Sequence, residues 1–161
     1  SILIASEGIN GFIAGAEKPV RAFISFLNSQ PGFSDIVPKE SWSSHVPFTR
    51  MIVKVKKEII TMGVPDIDPE HFTGKRVYPK ELKLWLDEKR DVVLLDTRND
   101  YEIKDGTFKG AEDYGIETFR QFPEKLKSDV ERLKDKTVVM FCTGGIRCEK
   151  STALALQYGL K

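Results

Sequence analysis

The sequence contains little cysteine and little histidine, with two of each in 161 residues. Cys142 and Cys148 are six positions apart, too few and too close to form a disulfide framework, so they suit a reducing cytosol and a reactive thiol better. His45 and His71 both lie outside any recognisable motif, which argues against a cysteine–histidine dyad. The sequence therefore predicts a cytoplasmic protein whose chemistry depends on a thiol without a histidine partner.

Long hydrophobic runs and a large net charge of either sign are also missing. No apolar run is long enough to cross a bilayer as a helix, so no membrane partner is predicted. The 25 basic and 24 acidic side chains nearly cancel, so nucleic-acid binding would need a local patch. One basic cluster comprises Lys39, Arg50, Lys54, Lys56 and Lys57. It indicates either a solvated sheet edge protected against pairing or a track for nucleic-acid phosphates.

The most informative motif is a strand, a small-residue loop and a helix in direct succession. The apolar run Thr137–Phe141 is followed by Cys142-Thr-Gly-Gly-Ile-Arg147, and helix-forming sequence follows from Glu149. Loop N–H groups, the helix N-terminus and Arg147 would all favour a thiolate, which is the nucleophilic form of cysteine. The alternative is a buried structural cysteine beside a Gly-Gly turn.

The length of this loop narrows the chemistry. Four residues separate Cys142 from Arg147, whereas a phosphate-binding cysteine loop normally has five and forms a wider ring of amides. The tighter loop suits a terminal sulfur on the cysteine, that is, a persulfide anion. We predict Cys142 as the catalytic residue and the following residues as its cradle: Thr143, Gly144, Gly145, Ile146 and Arg147. For Cys148, a resolving thiol and a packed residue at the helix start both remain open.

The residues before the motif predict a first domain over residues 1–65. Strands at Ile2–Ala5 and Phe12–Ala14 flank a hairpin turn at Glu7–Gly11, a helix begins at Pro19, and Arg50–Lys56 alternates as a third strand. This β-β-α-β order is a partial ferredoxin-like (acylphosphatase-like) α+β domain that lacks two elements. We expect the natural protein to begin earlier and to supply them.

Residues 66–161 predict a second domain, and the boundary falls in a Pro-rich connector between about 63 and 77. Helices starting at Pro79 and Phe122 alternate with the hydrophobic strands Val92–Asp96 and Thr137–Phe141. This α/β pattern predicts a parallel sheet with helices on both faces. We expect a further strand beyond the last helix, outside the sequence.

The cysteine loop and a second motif together resemble the rhodanese family, whose active cysteine carries sulfur. The second motif comprises Asp96-Thr-Arg98, then Tyr101-Glu102 and Gly106-Thr-Phe-Lys-Gly-Ala111. Thr107 stands where many rhodaneses have histidine. The resemblance implies a rhodanese-like sheet, and we expect Asp96 and Arg98 to form a structural ion pair near the site rather than to act in catalysis.

A narrower resemblance covers nearly the whole chain. The hairpin Glu7–Gly11 ahead of the segments Asp96–Glu102 and Cys142–Lys150 is similar to the bacterial rhodanese-domain tRNA uridine hydroxylase family. That resemblance implies oxygen-dependent 5-hydroxylation of the wobble uridine, with a persulfide on Cys142. It implies tRNA as substrate, molecular oxygen as co-substrate and a possible sulfur donor. Neither a resident cofactor nor a metal site is predicted.

Two other functions remain open. The first is a small-molecule sulfurtransferase that takes sulfur from thiosulfate or a persulfide donor, and the second is an inert binding module. The intact pair of Cys142 and Arg147 argues against the module. The additional first domain favours a macromolecular substrate, because a small anion does not need one.

Overall fold

The computed structural model describes all residues, Ser1–Lys161, and divides them into two compact units. The N-terminal unit spans Ser1–Lys56 and the C-terminal unit spans Lys57–Lys161. No helix of either unit is both long enough and apolar enough to cross a membrane.

The N-terminal unit has the predicted β-β-α-β order. Its elements are β1 (Ile2–Ala5), β2 (Gly8–Gly11), α1 (Glu17–Asn28) and β3 (Val53–Val55). Strand β1 lies in the centre of the sheet, antiparallel to β2 and parallel to β3. Helical spacing places four apolar side chains on one face of α1, and all four are partly buried: Val20, Phe23, Ile24 and Leu27.

The position of the second strand differs from the prediction. Phe12–Ala14 is not a strand, and β2 lies at Gly8–Gly11 instead. Ala5 pairs with Gly8, so the connecting turn contains only Ser6 and Glu7. Gly8 adopts a φ of 127°, which a residue with a side chain rarely adopts, and this allows the chain to reverse within two residues.

The C-terminal unit is built on a parallel sheet. Its strands are β4 (Val92–Asp96), β5 (Glu112–Asp113) and β6 (Thr137–Phe141), in the order β5-β4-β6, and every pairing is parallel. The helices are α2 (Pro79–Asp87), α3 (Asp100–Ile103), α4 (Phe122–Leu133) and α5 (Ile146–Gln157). The predicted bounds of β4 and β6 and the predicted fold class are confirmed. The short elements α3 and β5 were not predicted.

The core of this unit lies around the central strand β4. Leu95 is fully buried and clusters with Phe122, Leu126 and Leu133 of α4 and with Leu154 of α5. Leu126 and Leu133 occupy the α4 face that the sequence predicts to be apolar. These contacts fix α4 and α5 on the sheet whose C-terminal edge carries the cysteine loop.

The Pro-rich connector is part of this unit. Met62 is almost fully buried in the core. The Thr73 hydroxyl donates to the Glu149 carbonyl (3.0 Å), and the Gly74 N–H donates to Thr152 Oγ1 (3.0 Å). The connector therefore lies along α5 instead of crossing open solvent.

Candidate active site

The two sequence motifs meet at the C-terminal edge of the parallel sheet. Asp96 and Phe141 are paired across β4 and β6, so the loops that follow these strands start side by side. The Thr97 N–H and the Thr97 hydroxyl both donate to the Phe141 carbonyl, at 3.0 and 3.1 Å. Thr97 is fully buried and joins the two loops at the residue before Cys142.

The cysteine loop is short because one glycine reverses it. Gly145 has a φ of 92° and forms the N-cap of α5, so the helix begins at Ile146, three residues before the predicted start at Glu149. The Gly145 N–H points back to the thiol and donates to Cys142 Sγ at 3.0 Å. The thiol therefore lies at the N-terminus of α5, where the partial positive charge of the helix favours an anion.

These surroundings lower the pKa of Cys142 from 9.0 to about 5. A hydrogen bond from the Cys148 thiol lowers it most. Burial works in the opposite direction, and hydrogen bonds from loop N–H groups lower the pKa further. Cys142 is therefore a thiolate at neutral pH and has the charge state required of a nucleophile.

Cys148 lies in the first turn of α5, and its thiol faces Cys142. The hydrogen bond to Cys142, burial and the negative charge on Cys142 all raise the pKa of Cys148 above its ordinary value, so Cys148 keeps its proton. Its Sγ is also 3.8 Å from Thr97 Oγ1. In this state Cys148 is a hydrogen-bond donor to the thiolate, and neither cysteine forms a disulfide.

Arg147, whose charge is predicted to favour the thiolate, is engaged in an ion pair with Glu102. Its guanidinium is largely buried and forms two hydrogen bonds to the carboxylate of Glu102, at 2.6 and 2.7 Å. The Thr143 hydroxyl donates to the same carboxylate at 3.0 Å. Because Arg147 and Thr143 hold it, the pKa of Glu102 lies below its usual range, and the acid neutralises much of the arginine's charge.

The prediction of an ion pair at the other motif agrees with the geometry. Arg98 Nη2 lies 2.7 Å from Asp96 Oδ2, and the Asp96 side chain is fully buried. Burial alone would raise the pKa of Asp96, but hydrogen bonds from Arg98 and Thr107 outweigh it and lower the pKa. Arg98 also donates to the Gly106 carbonyl (2.7 Å), so the pair holds the loop that contains Gly106 and Thr107.

Sequence analysis missed two residues of this site, Glu102 and Thr97. Glu102 is 45 positions from Arg147, and its place in the second motif was the only available signal. Thr97 lies between the two predicted residues Asp96 and Arg98. His45 and His71 are exposed, and His71 pairs with Asp68 at 2.8 Å. Among the basic cluster, the structure places Lys54 in β3 of the N-terminal unit.

The N-terminal region matches one family and the C-terminal region another. Residues 1–59 match the UPF0176 acylphosphatase-like domain, and residues 78–161 match the rhodanese-like domain. Proteins named tRNA uridine(34) hydroxylase are similar over the chain. The relative from Acaryochloris marina is 51% identical over 161 residues, which are all of this chain and 52% of the relative.

Two further relatives of the same name show a similar match. The protein from Agrobacterium fabrum is 48% identical over 99% of this chain and 50% of its own length. The protein from Acinetobacter baumannii strain AYE is 51% identical over all of this chain and 50% of its own length. The chain thus spans about half the length of these curated relatives. Since the rhodanese-like match covers 84 of the 161 residues, the strand, loop and helix around Cys142 and the match together place the chain in the rhodanese-like domain family.

Proposed function

We propose that this chain is part of a tRNA-modifying enzyme that hydroxylates uridine 34 through Cys142. The observation that carries the proposal is a sequence identity of 48–51% with relatives named tRNA uridine(34) hydroxylase, which extends over both units. By analogy with those names the substrate is tRNA, and the reaction takes place in the cytoplasm, where tRNA is modified. Molecular oxygen is the proposed source of the new hydroxyl oxygen.

Within this proposal, Cys142 is the nucleophile that accepts sulfur. Its thiolate attacks the terminal sulfur of a donor persulfide, R–S–SH. The new bond joins Cys142 Sγ to that sulfur, the donor's S–S bond breaks, and the donor leaves as the thiolate R–S⁻ with the bonding electron pair. The Gly145 N–H lies 3.0 Å from Cys142 Sγ, so the transferred sulfur would be bound next to this donor.

The other site residues support this loop. The bidentate pair between Arg147 and Glu102 fixes the start of α5 relative to α3. Asp96 and Arg98 fix the neighbouring loop, so we assign them a structural role. Cys148 donates to the thiolate, and in the persulfide state it lies beside the inner sulfur, where a resolving thiol would have to be.

Comparison of the tRNA nucleosides of cells with and without the gene tests the proposed function. We expect 5-hydroxyuridine and its derivatives to disappear from tRNA when the gene is deleted. The intact gene restores them, and a gene carrying Cys142→Ser does not. Growth under ¹⁸O₂ places the label in the restored hydroxyl group. Unchanged nucleosides in the deletion strain, or restoration by Cys142→Ser, contradict the proposal.

The six-residue loop favours one second candidate, a sulfurtransferase that acts on small molecules. In that reaction the thiolate displaces sulfite from thiosulfate and then passes the sulfur to cyanide or another thiophilic acceptor. Thiocyanate formation by the purified protein, with normal tRNA nucleosides in the deletion strain, would favour this candidate over tRNA hydroxylation.

A further inference from the structure

Two large aromatic side chains are exposed on the segments that border the cysteine loop. Tyr101 is 62% exposed on α3, and Phe108 is 55% exposed in the loop before β5. The structure gives neither ring a role in the core or in the hydrogen bonds that hold the loop. Their immediate neighbours in the chain, Glu102 and Thr107, do form such bonds.

Phe108 contacts the residue that precedes the nucleophile, although its ring is exposed. One face of its ring contacts Phe141, with the ring centroids 4.6 Å apart and the planes inclined at 44°. Phe141 is the residue directly before Cys142. The preceding loop is fixed, because Thr107 donates to Asp96 (2.7 Å) and Arg98 donates to the Gly106 carbonyl (2.7 Å). The exposed part of the ring therefore has a defined position at the C-terminal end of β6.

Tyr101 is fixed from the other side of the loop. It precedes Glu102, whose carboxylate accepts hydrogen bonds from both Thr143 and Arg147 of the cysteine loop and helix. Tyr101 is therefore attached to an element that directly contacts the cysteine loop, and Phe108 contacts the strand residue directly before that loop.

The same segment carries exposed positive charge. Lys104 and Lys109 are both exposed, and Lys104 lies 3.6 Å from Asp100 in a weak surface pair. Exposed aromatic rings with lysines nearby are the common means of binding single-stranded nucleic acid, because every base has a face that can stack and every nucleotide has a phosphate. A small sulfur donor would need neither feature.

We propose that Tyr101 and Phe108 form a platform on which the target pyrimidine of a single-stranded RNA loop stacks beside Cys142. This inference rests on the proposed function and names the contact that selects the base. Stacking positions the ring next to the active sulfur, while Lys104 and Lys109 bind the neighbouring phosphates.

The test compares two anticodon stem-loop RNAs that differ only at the wobble position, where one has uridine and the other has an abasic site. Binding to the full chain is measured at one fixed salt concentration. Phe108→Ala and Tyr101→Ala should each weaken binding of the uridine RNA by about tenfold. Binding of the abasic RNA should change little, since it has no base to stack. Tyr78→Ala, which removes a tyrosine that is 76% exposed at the start of α2, is the matched control.

Two further variants separate stacking from apolar cover. Phe108→Leu still covers Phe141 but has no aromatic face, so it should behave as Phe108→Ala does. Phe108→Trp should keep the wild-type preference for the uridine RNA. The alkylation rate of Cys142 should be unchanged in all variants, which shows that the cysteine loop is intact.

The possible failures can be told apart. Equal weakening of both RNAs by Phe108→Ala, or no weakening of either, overturns the stacking platform even if the wild-type protein hydroxylates tRNA. The other failure concerns the reaction. If Phe108 is needed to bind the uridine RNA but deletion of the gene leaves the tRNA nucleosides unchanged, the proposed hydroxylation is overturned and the stacking platform is kept.

Discussion

At the scale of single residues, the chemistry of the site depends on which of two thiols holds the proton. Burial alone would keep both protonated, yet Cys142 is ionised and Cys148 is not. The two pKa values differ because the hydrogen-bond donors, which are the loop N–H groups and the Cys148 thiol, all point at Cys142 Sγ. Two cysteines six positions apart thus acquire opposite roles from one turn of helix.

We therefore predict that alkylation of Cys142 follows a titration with a midpoint near pH 5. The rate should be nearly constant between about pH 6.5 and 8.5, because the thiolate fraction is already close to one. Peptide mass analysis after reaction with iodoacetamide measures the rate at each cysteine. Cys148 should react much more slowly throughout, and equal labelling of the two residues would disprove the assignment of the nucleophile.

The same pKa makes a prediction for stability. The folded value of about 5 lies below the ordinary value of 9.0, so the thiolate contributes fully above pH 9 and loses its contribution as the pH falls towards 5. The free energy of unfolding of the wild type, relative to that of Cys142→Ser, should therefore increase as the pH rises from 5 to 9. Urea denaturation of both proteins across this range checks the sign, and a difference that is independent of pH contradicts it.

Cys148 should act on Cys142 through its hydrogen bond. Cys148→Ala removes the strongest stabilising interaction of the thiolate, so the midpoint of Cys142 alkylation should move up by about one pH unit or more. Cys148→Ser keeps a donor and should restore part of the shift. If Cys148 only fills space at the start of α5, both variants would leave the midpoint where it is in the wild type.

At the scale of elements, long periodic segments were predictable and short ones were not. β4, β6 and α4 carry their own pattern of buried residues, and their bounds or apolar faces agree with the sequence prediction. The four residues of α3 and the two of β5 have too few positions to show a period, and contacts from distant residues hold them. The ion pair between Glu102 and Arg147 likewise joins residues that are distant in the sequence. The cysteine loop was therefore predictable from its local motif, whereas the ion pair that holds it was not.

We predict different effects of substitution at the two glycines of the cysteine loop. Gly145 has a φ of 92°, whereas Gly144 lies outside the left-handed region, and an added Cβ there would meet no atom within 4 Å. Gly145→Val should distort the loop, remove the N–H bond to Cys142 and abolish the reaction, since the strain is about 1–2 kcal/mol even before the branched side chain is placed. Gly144→Ala is the matched control.

Sulfur loading of Cys142 from a persulfide donor, followed by intact-protein mass analysis, gives the readout. We expect Gly144→Ala to load as the wild type does and Gly145→Val not to load. Wild-type loading by Gly145→Val would show that the turn at this residue is not needed to form the cradle.

At the scale of the whole molecule, the two units contain different candidate functional residues. The C-terminal unit holds every residue of the cysteine site, while the N-terminal unit contains four of the five residues of the basic cluster, among them Lys54 and Lys56. Local patterns in the sequence predicted the order of the elements in the N-terminal unit and of the longer elements in the C-terminal unit. They could not predict that the connector packs along α5, because that depends on contacts such as Gly74 with Thr152, 78 positions apart.

If the N-terminal unit binds tRNA, neutralising Lys54 and Lys56 should weaken that binding. The double variant with glutamine at both positions should lower the slope of log affinity against log salt concentration by about two, one for each phosphate that no longer meets a lysine. The alkylation rate of Cys142 should not change, because its activating groups all lie in the C-terminal unit. Lys125 and Lys127 of α4, replaced in the same way, serve as the control.

An unchanged affinity and salt slope in the double variant would exclude this strand from the RNA path. The alternative interpretation of the cluster, a sheet edge protected against pairing, would then stand.

The pairing of Arg147 with Glu102 has a consequence for selectivity. An arginine whose donors are already bound to a carboxylate has little to offer a doubly charged oxyanion, and the acid repels it. What remains for an incoming anion is a small set of backbone N–H groups, enough for one negative charge on a single sulfur. Inorganic phosphate and vanadate, which block enzymes with an open arginine beside the cysteine, should therefore compete poorly here. The proposed sulfur-carrying site would then stay free of phosphate in a phosphate-rich medium.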